Sequence, residues 1–359
     1  MPLLRHGVQT EGGRTRRGGG GVSQRPPLSS LVIAPQWIGD AVMTDPLMRR
    51  LQARGERLTV GALPWVAPVY RAMPHVAEVI EFPFAHGGLQ FKARRSLAKQ
   101  LEGRFDTAYI CPNSLKSALL PFLASIPKRV GYLGEARVGL LTHRLKNPPK
   151  NKRPPMVAFY SALSGEADVA NDRPRLQLDA TEVQAALATL GLAQGGYYVF
   201  APGAEYGPAK RWPAAHFSEL ARQLDLPVVL LGSGKEFELC QQIAAPVNAG
   251  QPQKCLNLAG KTSLAHAFCA IAATKSIVSN DSGLMHVAAA FGVQQVAIFG
   301  SSSPLHTPPL NERATVLWLK TQADYQPPLD CAPCFERECP LGHTRCLNDI
   351  SATQVLSYL

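Results

Sequence analysis

Two stretches of the chain carry residues whose types and spacing could do chemistry together. The first is residues 280–292, NDSGLMHVAAAFG, which lie between apolar runs at 276–279 and 295–299 that read as strands. A loop followed by a short helix in a β-α-β unit is a place to hold a phosphate. Asp281 or Ser282 can cap the helix, Gly283 allows close backbone approach, and the first-turn amides point at an arriving anion. His286 follows Ser282 by one helical turn, on roughly the same face. A capped, Ala-rich helix is also ordinary structure, so the rest of the chain must decide. The second stretch is Gln36-Trp37-Ile38-Gly39-Asp40, between a strand at 31–35 and a helix expected over 41–54. It places Asp40 at the carboxyl end of a strand, where doubly wound sheets bind ligands, and Asp40 reads there either as a site carboxylate or as an N-cap.

The elements that position these residues alternate along the chain. Strands are expected at 58–61, 78–82, 106–110 and 129–131, with helices at 89–102 and 115–124. Residues 147–175, rich in Pro, Lys, Arg and Asn, read as surface loop or linker. A second series follows: a helix at 181–190, then strands at 197–200, 227–231 and 255–258 with helices at 214–224, 236–244 and 263–273. Two successive β-α series imply an α/β protein of two Rossmann-like domains facing across a cleft, divided as 29–178 and 179–340. The segment 341–359 ends in a helix expected to return over the first domain. Residues 1–28, with four consecutive Gly and scattered Arg, are expected to be disordered.

Composition narrows the class. The chain of 359 residues is 46% hydrophobic without an apolar run long enough to span a bilayer, and its Arg- and Gly-rich start is no secretory signal, so a cytoplasmic protein is expected. The net charge of +11 is uneven: residues 1–180 carry 26 Lys and Arg against 13 Asp and Glu, and the remainder is slightly acidic. A basic first half suggests an anionic partner such as nucleic acid, anionic lipid or a phosphorylated glycan, or else a solubilising surface. Nucleic acid lacks support, because no stretch interleaves aromatic and basic residues.

In the second domain three loops at strand ends converge: 201–211 with Lys210, 232–235, and 280–286. A Lys, a helix N-terminus, a His and small residues suit a diphosphate, and they would stabilise the charge that builds on a nucleoside diphosphate leaving a sugar. Asp40 across the cleft could then act as general base on an acceptor hydroxyl. No Asp-x-Asp occurs, so the usual metal-diphosphate anchor is missing and no metal or other cofactor is expected. A dinucleotide oxidoreductase fails on its own fingerprint, since G-x-G-x-x-G is met neither at 36–40 nor at Gly232-Ser233-Gly234, where Phe237 holds the third position. A non-catalytic sugar-nucleotide-binding protein stays open.

The segments 34–40 (APQWIGD), 201–213 (APGAEYGPAKRWP) and 279–286 (SNDSGLMH) resemble the ADP-heptose:lipopolysaccharide heptosyltransferases, and the tail Cys331-Ala332-Pro333-Cys334 followed by CPLGH at 339–343 resembles the type II members. The resemblance runs in order from about residue 31 to the end, and an extension before it is the departure. It implies a GT-B fold and an inverting transfer of heptose from ADP-heptose to the first heptose of the inner core on lipid A. By that resemblance Asp40 is the base, Lys210 contacts the diphosphate, Ser282 and Gly283 donate backbone N–H groups, and His286 lies near a phosphate. Asp281 binds heptose hydroxyls, and Glu205 lies in the matched loop. The acceptor's carboxylates and phosphates at the inner face of the membrane would give the basic domain its reason. Eight Cys argue against a disulfide scaffold in such a setting; Cys331, Cys334, Cys339 and Cys346, with His343, do not match a standard zinc-finger spacing, and reduced thiols packing a compact loop are expected.

Overall fold

The computed structural model describes residues 28–84, 88–149, 152–166 and 172–359, so the expected disorder of the N-terminal extension lies outside the described residues. Two six-stranded parallel sheets form the frame. The first contains β1 (Ser29–Ile33), β2 (Arg57–Ala62), β3 (Glu78–Glu81), β4 (Thr107–Ile110), β5 (Lys128–Tyr132) and β6 (His143–Leu145), in the order β3-β2-β1-β4-β5-β6. The second contains β7 (Tyr198–Ala201), β8 (Val228–Leu230), β9 (Cys255–Asn257), β10 (Ser276–Asn280), β11 (Gln295–Ile298) and β12 (Ala314–Leu317), in the order β12-β11-β10-β7-β8-β9. Counted from its own first strand, each sheet has the same order. The central strands are apolar runs because helices cover both faces; β4, β7 and β10 are buried along their whole length. The direction of winding reverses between β1 and β4 and again between β7 and β10, which is where a doubly wound sheet opens a crevice for ligand.

Four expectations need correction. The helix expected over 41–54 is two helices, Ile38–Met43 and Asp45–Ala53. Pro46 at the start of the second has no N–H to continue the first. Asp40 therefore lies inside a first turn whose N-cap position is Trp37, and it is not a cap. The linker holds the helix Met156–Ser161, whose Val157, Phe159 and Tyr160 enter the core with first-domain residues. The edge strands β6 and β12 were not anticipated, because short edge strands show no continuous apolar run.

The C-terminal helix, Ala352–Leu356, does not return over the first domain. It packs on the helix Ala214–Gln223, with Ile350, Ala352 and Val355 in the second domain's core. The buried Trp212 indole N–H fixes this by donating to the Ile350 carbonyl at 2.8 Å. Where the chain passes between domains it is bonded to both: the Leu176 amide donates to the Ala290 carbonyl and the Gln177 amide to the Ala72 carbonyl.

Candidate active site

The domains meet at two helix starts. The helix Ile38–Met43, after β1, packs against the helix Gly283–Ala290, after β10. Contact is backbone-close. A Cβ on Gly39 would fall 2.8 Å from His286 Cδ2, and one on Gly283 would fall 3.0 Å from Ile38 Cβ. Gly283 thus serves the approach of the opposite domain as well as access to the first-turn amides.

Three spaces adjoin at this seam, the central one sharing lining residues with each of the other two. One of about 670 Å³ lies on the first-domain side, among Trp37, Asn113, Ser114, Leu115 and Tyr160. A central one of about 270 Å³ is bounded by Tyr206, Lys210, Asp281, His286 and Arg337. The third, about 500 Å³, reaches into the second domain between Gly203, Gly232, Ser233 and Thr262. Asp40 lines the first and second, while Glu205, Ser282 and Gly283 line the second and third. The central space thereby brings together Asp40, Glu205, Lys210, Asp281, Ser282, Gly283 and His286, the site residues expected from the sequence.

The two walls differ in charge. Asp40 is held against protein on most sides, and burial pushes its carboxyl up from 3.8 to about 6; the Tyr160 hydroxyl, donating to Asp40 Oδ1 at 3.0 Å, opposes that rise. Asp281 raises it further and Lys210 lowers it, so the groups across the cleft act on Asp40. At pH 7 to 8 the group is largely ionised yet basic enough to take a proton, as a general base requires. Opposite it, Lys210 Nζ is paired with Asp281 Oδ2. Thr307 Oγ1 donates to the other Asp281 oxygen at 3.4 Å.

Lys210 is aimed by a buried amide. Asn280 accepts from the Trp212 amide at 3.0 Å and donates to the Pro202 carbonyl at 2.7 Å, tying both ends of the long loop after β7 to the end of β10. The start of that loop lies on Glu236, whose Oε1 would be 1.7 Å from a Cβ on Gly203. Glu205 sits at the rim, in an exposed pair with Lys235 at 3.2 Å. Ser282 holds the N-cap position, but its hydroxyl caps nothing; it is buried without a hydrogen-bond partner among the described residues, beside the cavity. Burial pushes His286 down from 6.5 to about 4, so at neutral pH it offers an uncharged ring. Positive charge in this wall comes from Lys210 and from Arg337, whose guanidinium lies 5.2 Å from the Tyr206 ring centre; Lys210 Nζ lies 5.4 Å from the same ring.

Several of these partners were invisible in the sequence reading. Tyr160 lay in a stretch read as loop. Arg337 comes from the tail between Cys334 and Cys339, where the four tail thiols and His343 surround a space of about 20 Å³. The cysteines are free thiols, and no group of three or more His, Cys, Asp or Glu among the described residues is arranged to hold a metal ion. Arg137, fully buried, donates to the Pro112 carbonyl at 2.6 Å, the Ser114 carbonyl at 3.2 Å and Asn113 Oδ1 at 3.1 Å, fixing the loop that walls the first-domain cavity.

The model of glycosyltransferase family 9 (heptosyltransferase) matches residues 94–345, more than half of the chain. The chain belongs to glycosyltransferase family 9. Among family members it is 45% identical over 307 residues to lipopolysaccharide heptosyltransferase 2 of Escherichia coli K12, covering 81% of this chain and 88% of that protein. It is 38% identical over 309 residues to lipooligosaccharide heptosyltransferase 2 of Haemophilus influenzae, covering 81% and 89%. The solved structure of E. coli ADP-heptose LPS heptosyltransferase II superposes with a TM-score of 0.78 at 40% identity, covering 92% of this chain and 97% of that one. The chain is accordingly a glycosyltransferase of GT-B architecture, its two Rossmann-like domains facing each other across the cleft.

Proposed function

We propose that this glycosyltransferase moves L-glycero-D-manno-heptose from ADP-heptose to the first heptose of the lipopolysaccharide inner core, with inversion and without a metal. The observation that carries the reading is Asp40, a carboxyl raised to about 6 at the junction of the two cavities and facing the cationic second-domain wall. The names of the family members at 38–45% identity support heptose as the sugar. The name of the matching solved structure supports ADP-heptose as the donor.

In this reading the nucleoside occupies the second-domain cavity and the diphosphate lies at the start of the helix Gly283–Ala290. The Ser282 and Gly283 amides and the Ser282 hydroxyl meet the phosphates, with Lys210 and Arg337 supplying the positive charge. Neutral His286 adds a hydrogen-bonding ring near a phosphate, and Glu205 lines the path between the central and nucleoside spaces. Asp281 meets heptose hydroxyls in the central space. The acceptor hydroxyl enters from the first-domain side, loses its proton to Asp40 and forms the new bond to the anomeric carbon as the bond to the diphosphate breaks. Attack from one wall and departure toward the other invert the anomeric centre. The negative charge built on ADP is met by side chains, which is why no metal is required.

The lipid-borne acceptor places the enzyme in the cytoplasm, at the inner face of the inner membrane, and its phosphates and carboxylates suit the basic first domain; nucleic acid has no part in this reading. The test is ADP release by the purified protein given ADP-heptose in EDTA, with and without monoheptosylated Kdo2-lipid A. Acceptor-dependent release is expected. ADP binding without release would replace the reading with a binding protein, or with another donor and acceptor.

A further inference from the structure

The helix Leu115–Leu123, LKSALLPFL, is apolar on both sides although it lies at the surface. Its inner side, Ala118, Leu120 and Ala124 just beyond it, enters the first domain's core. Its outer side carries Leu115, Leu119 and Phe122 at the i, i+4, i+7 spacing of one helical stripe; Leu115 is 37% exposed and Phe122 43% exposed. An apolar stripe on the outward side of a helix ordinarily has cover. The helix Phe91–Leu101 packs alongside, sends Leu97, Ala98 and Leu101 into the same core, and presents Phe91, 46% exposed, together with Lys92, Arg95 and Lys99.

The charge of this face is one-sided. Residues 88–101 and 111–134 contain seven Lys and Arg, of which Arg94 is buried, and no Asp or Glu; the exposed Glu102 follows at the end of the first helix. Glu135, at the cavity end, is engaged by the Leu115 amide at 2.8 Å. Arg129 lies 5.5 Å over the Phe122 ring, so basic and apolar groups are interleaved. The face is continuous with the site, because Leu89 and Leu115 border both the patch and the first-domain cavity that leads to Asp40. Arg94 steadies that border by donating to the Leu89 carbonyl at 2.7 Å.

We infer that the outer faces of the helices Phe91–Leu101 and Leu115–Leu123 dock on an anionic bilayer, with the mouth of the acceptor cavity turned toward the lipid surface. Exposed Leu and Phe enter the boundary between headgroups and acyl chains, while the surrounding Lys and Arg meet anionic headgroups. A sugar attached to a lipid then reaches Asp40 without leaving the membrane. The inference rests on the proposed acceptor being lipid-borne.

The test is co-sedimentation of the full chain with vesicles of phosphatidylcholine alone or with about 30% phosphatidylglycerol. Binding is expected only with the anionic lipid, weakening as salt rises. Phe91→Glu with Phe122→Glu should weaken binding about tenfold or more, and Lys92→Glu with Arg95→Glu should do the same through charge. Both pairs should keep the wild-type melting temperature and, with a deacylated, water-soluble acceptor, the wild-type rate of ADP release. With the same acceptor embedded in anionic vesicles, their rate should fall. Wild-type protein that ignores anionic vesicles, or the Phe pair binding them like wild type, would overturn the inference. So would a wild-type dimer that the Phe pair makes monomeric with vesicle binding unchanged, since the face would then seat a second copy. The soluble-acceptor rate reads the proposed reaction independently, so failure of docking and failure of the reaction are told apart.

Discussion

The helices after β4 and β10 hold equivalent places in two sheets of the same order, yet they meet opposite surroundings. Gly283–Ala290 is almost wholly buried at the seam between the domains, with its start against Ile38 and Gly39. Leu115–Leu123 faces outward beside the large first-domain cavity. The walls they belong to differ in the same way. On the second-domain side Lys210 is paired with Asp281, Arg337 lies over the Tyr206 ring, and Asn280 pins the loop that carries Lys210. On the first-domain side Asp40 has only a tyrosine hydroxyl and a cavity. The paired wall is built for a small, highly charged donor whose shape does not vary. The open wall suits a larger acceptor, and its carboxyl is kept unpaired because a base tied to a cation would lose its proton affinity.

The sharpest way to break this contrast is Asp40→Asn. Loss of the base should lower kcat by about a thousandfold or more while ADP-heptose binding stays near wild type. Stability should move the other way. A carboxyl whose folded pKa is about 6, against 3.8 in the unfolded chain, binds its proton more tightly when folded. The fold therefore loses stability as pH rises from 3.8 to 6, and the loss persists above 6. Asparagine removes a cost of about 3 kcal/mol at pH 7, so the melting temperature should rise at neutral pH and most of the gain should be gone near pH 4. A mutant retaining a tenth of the rate would remove Asp40 as base.

On the opposite wall Lys210→Ala should weaken ADP binding and lower kcat/KM about a hundredfold, because it removes a cation from the leaving group and leaves Asp281 unpaired. Adding Asp281→Asn should restore part of the stability but little of the rate. If Lys210→Ala changes neither donor affinity nor rate, the paired wall is not the donor's. At the seam between the walls, Gly39→Ala should force the buried His286 ring to move, since the new Cβ would lie 2.8 Å from Cδ2. Displacing one wall from the other should lower kcat about tenfold with donor binding in the second domain little changed. Equal losses of kcat and of ADP affinity would show that the seam belongs to the donor pocket alone.

The parallel architecture is legible in the sequence because central strands are apolar runs, and the candidate site because Asp40, Lys210 and Asp281 sit in the loops or first turns that follow such runs. Their partners are not legible there. Tyr160 comes from a Pro- and Lys-rich stretch whose short helix forms only by burying Val157 and Phe159 in the first domain's core. Arg337 arrives from a tail that looked like thiol packing, and Arg137 acts through carbonyls that no side-chain pattern reveals. The destination of the last helix was misjudged because Trp212 and Ile350, which settle it, lie 138 positions apart. Local pattern locates charges in the segments that follow strands; which of them are paired is decided by tertiary contacts.

Tyr160 gives the smallest effect and the finest test of how the open wall works. Its hydroxyl donates to the charged form of Asp40, so it holds the carboxyl below where burial alone would put it. Tyr160→Phe should move the acid limb of the kcat/KM profile upward from about 6, by roughly half a pH unit or more. At pH 8, where Asp40 is ionised in both proteins, the rates should differ by less than about threefold, because a more basic carboxylate is at least as good a proton acceptor. Near pH 6 the deficit should be larger, since more of the mutant's base is protonated. A profile lowered equally at every pH would make Tyr160 a packing residue for the cavity wall, and a limb displaced downward would reverse the sign of the hydrogen bond's effect on the base.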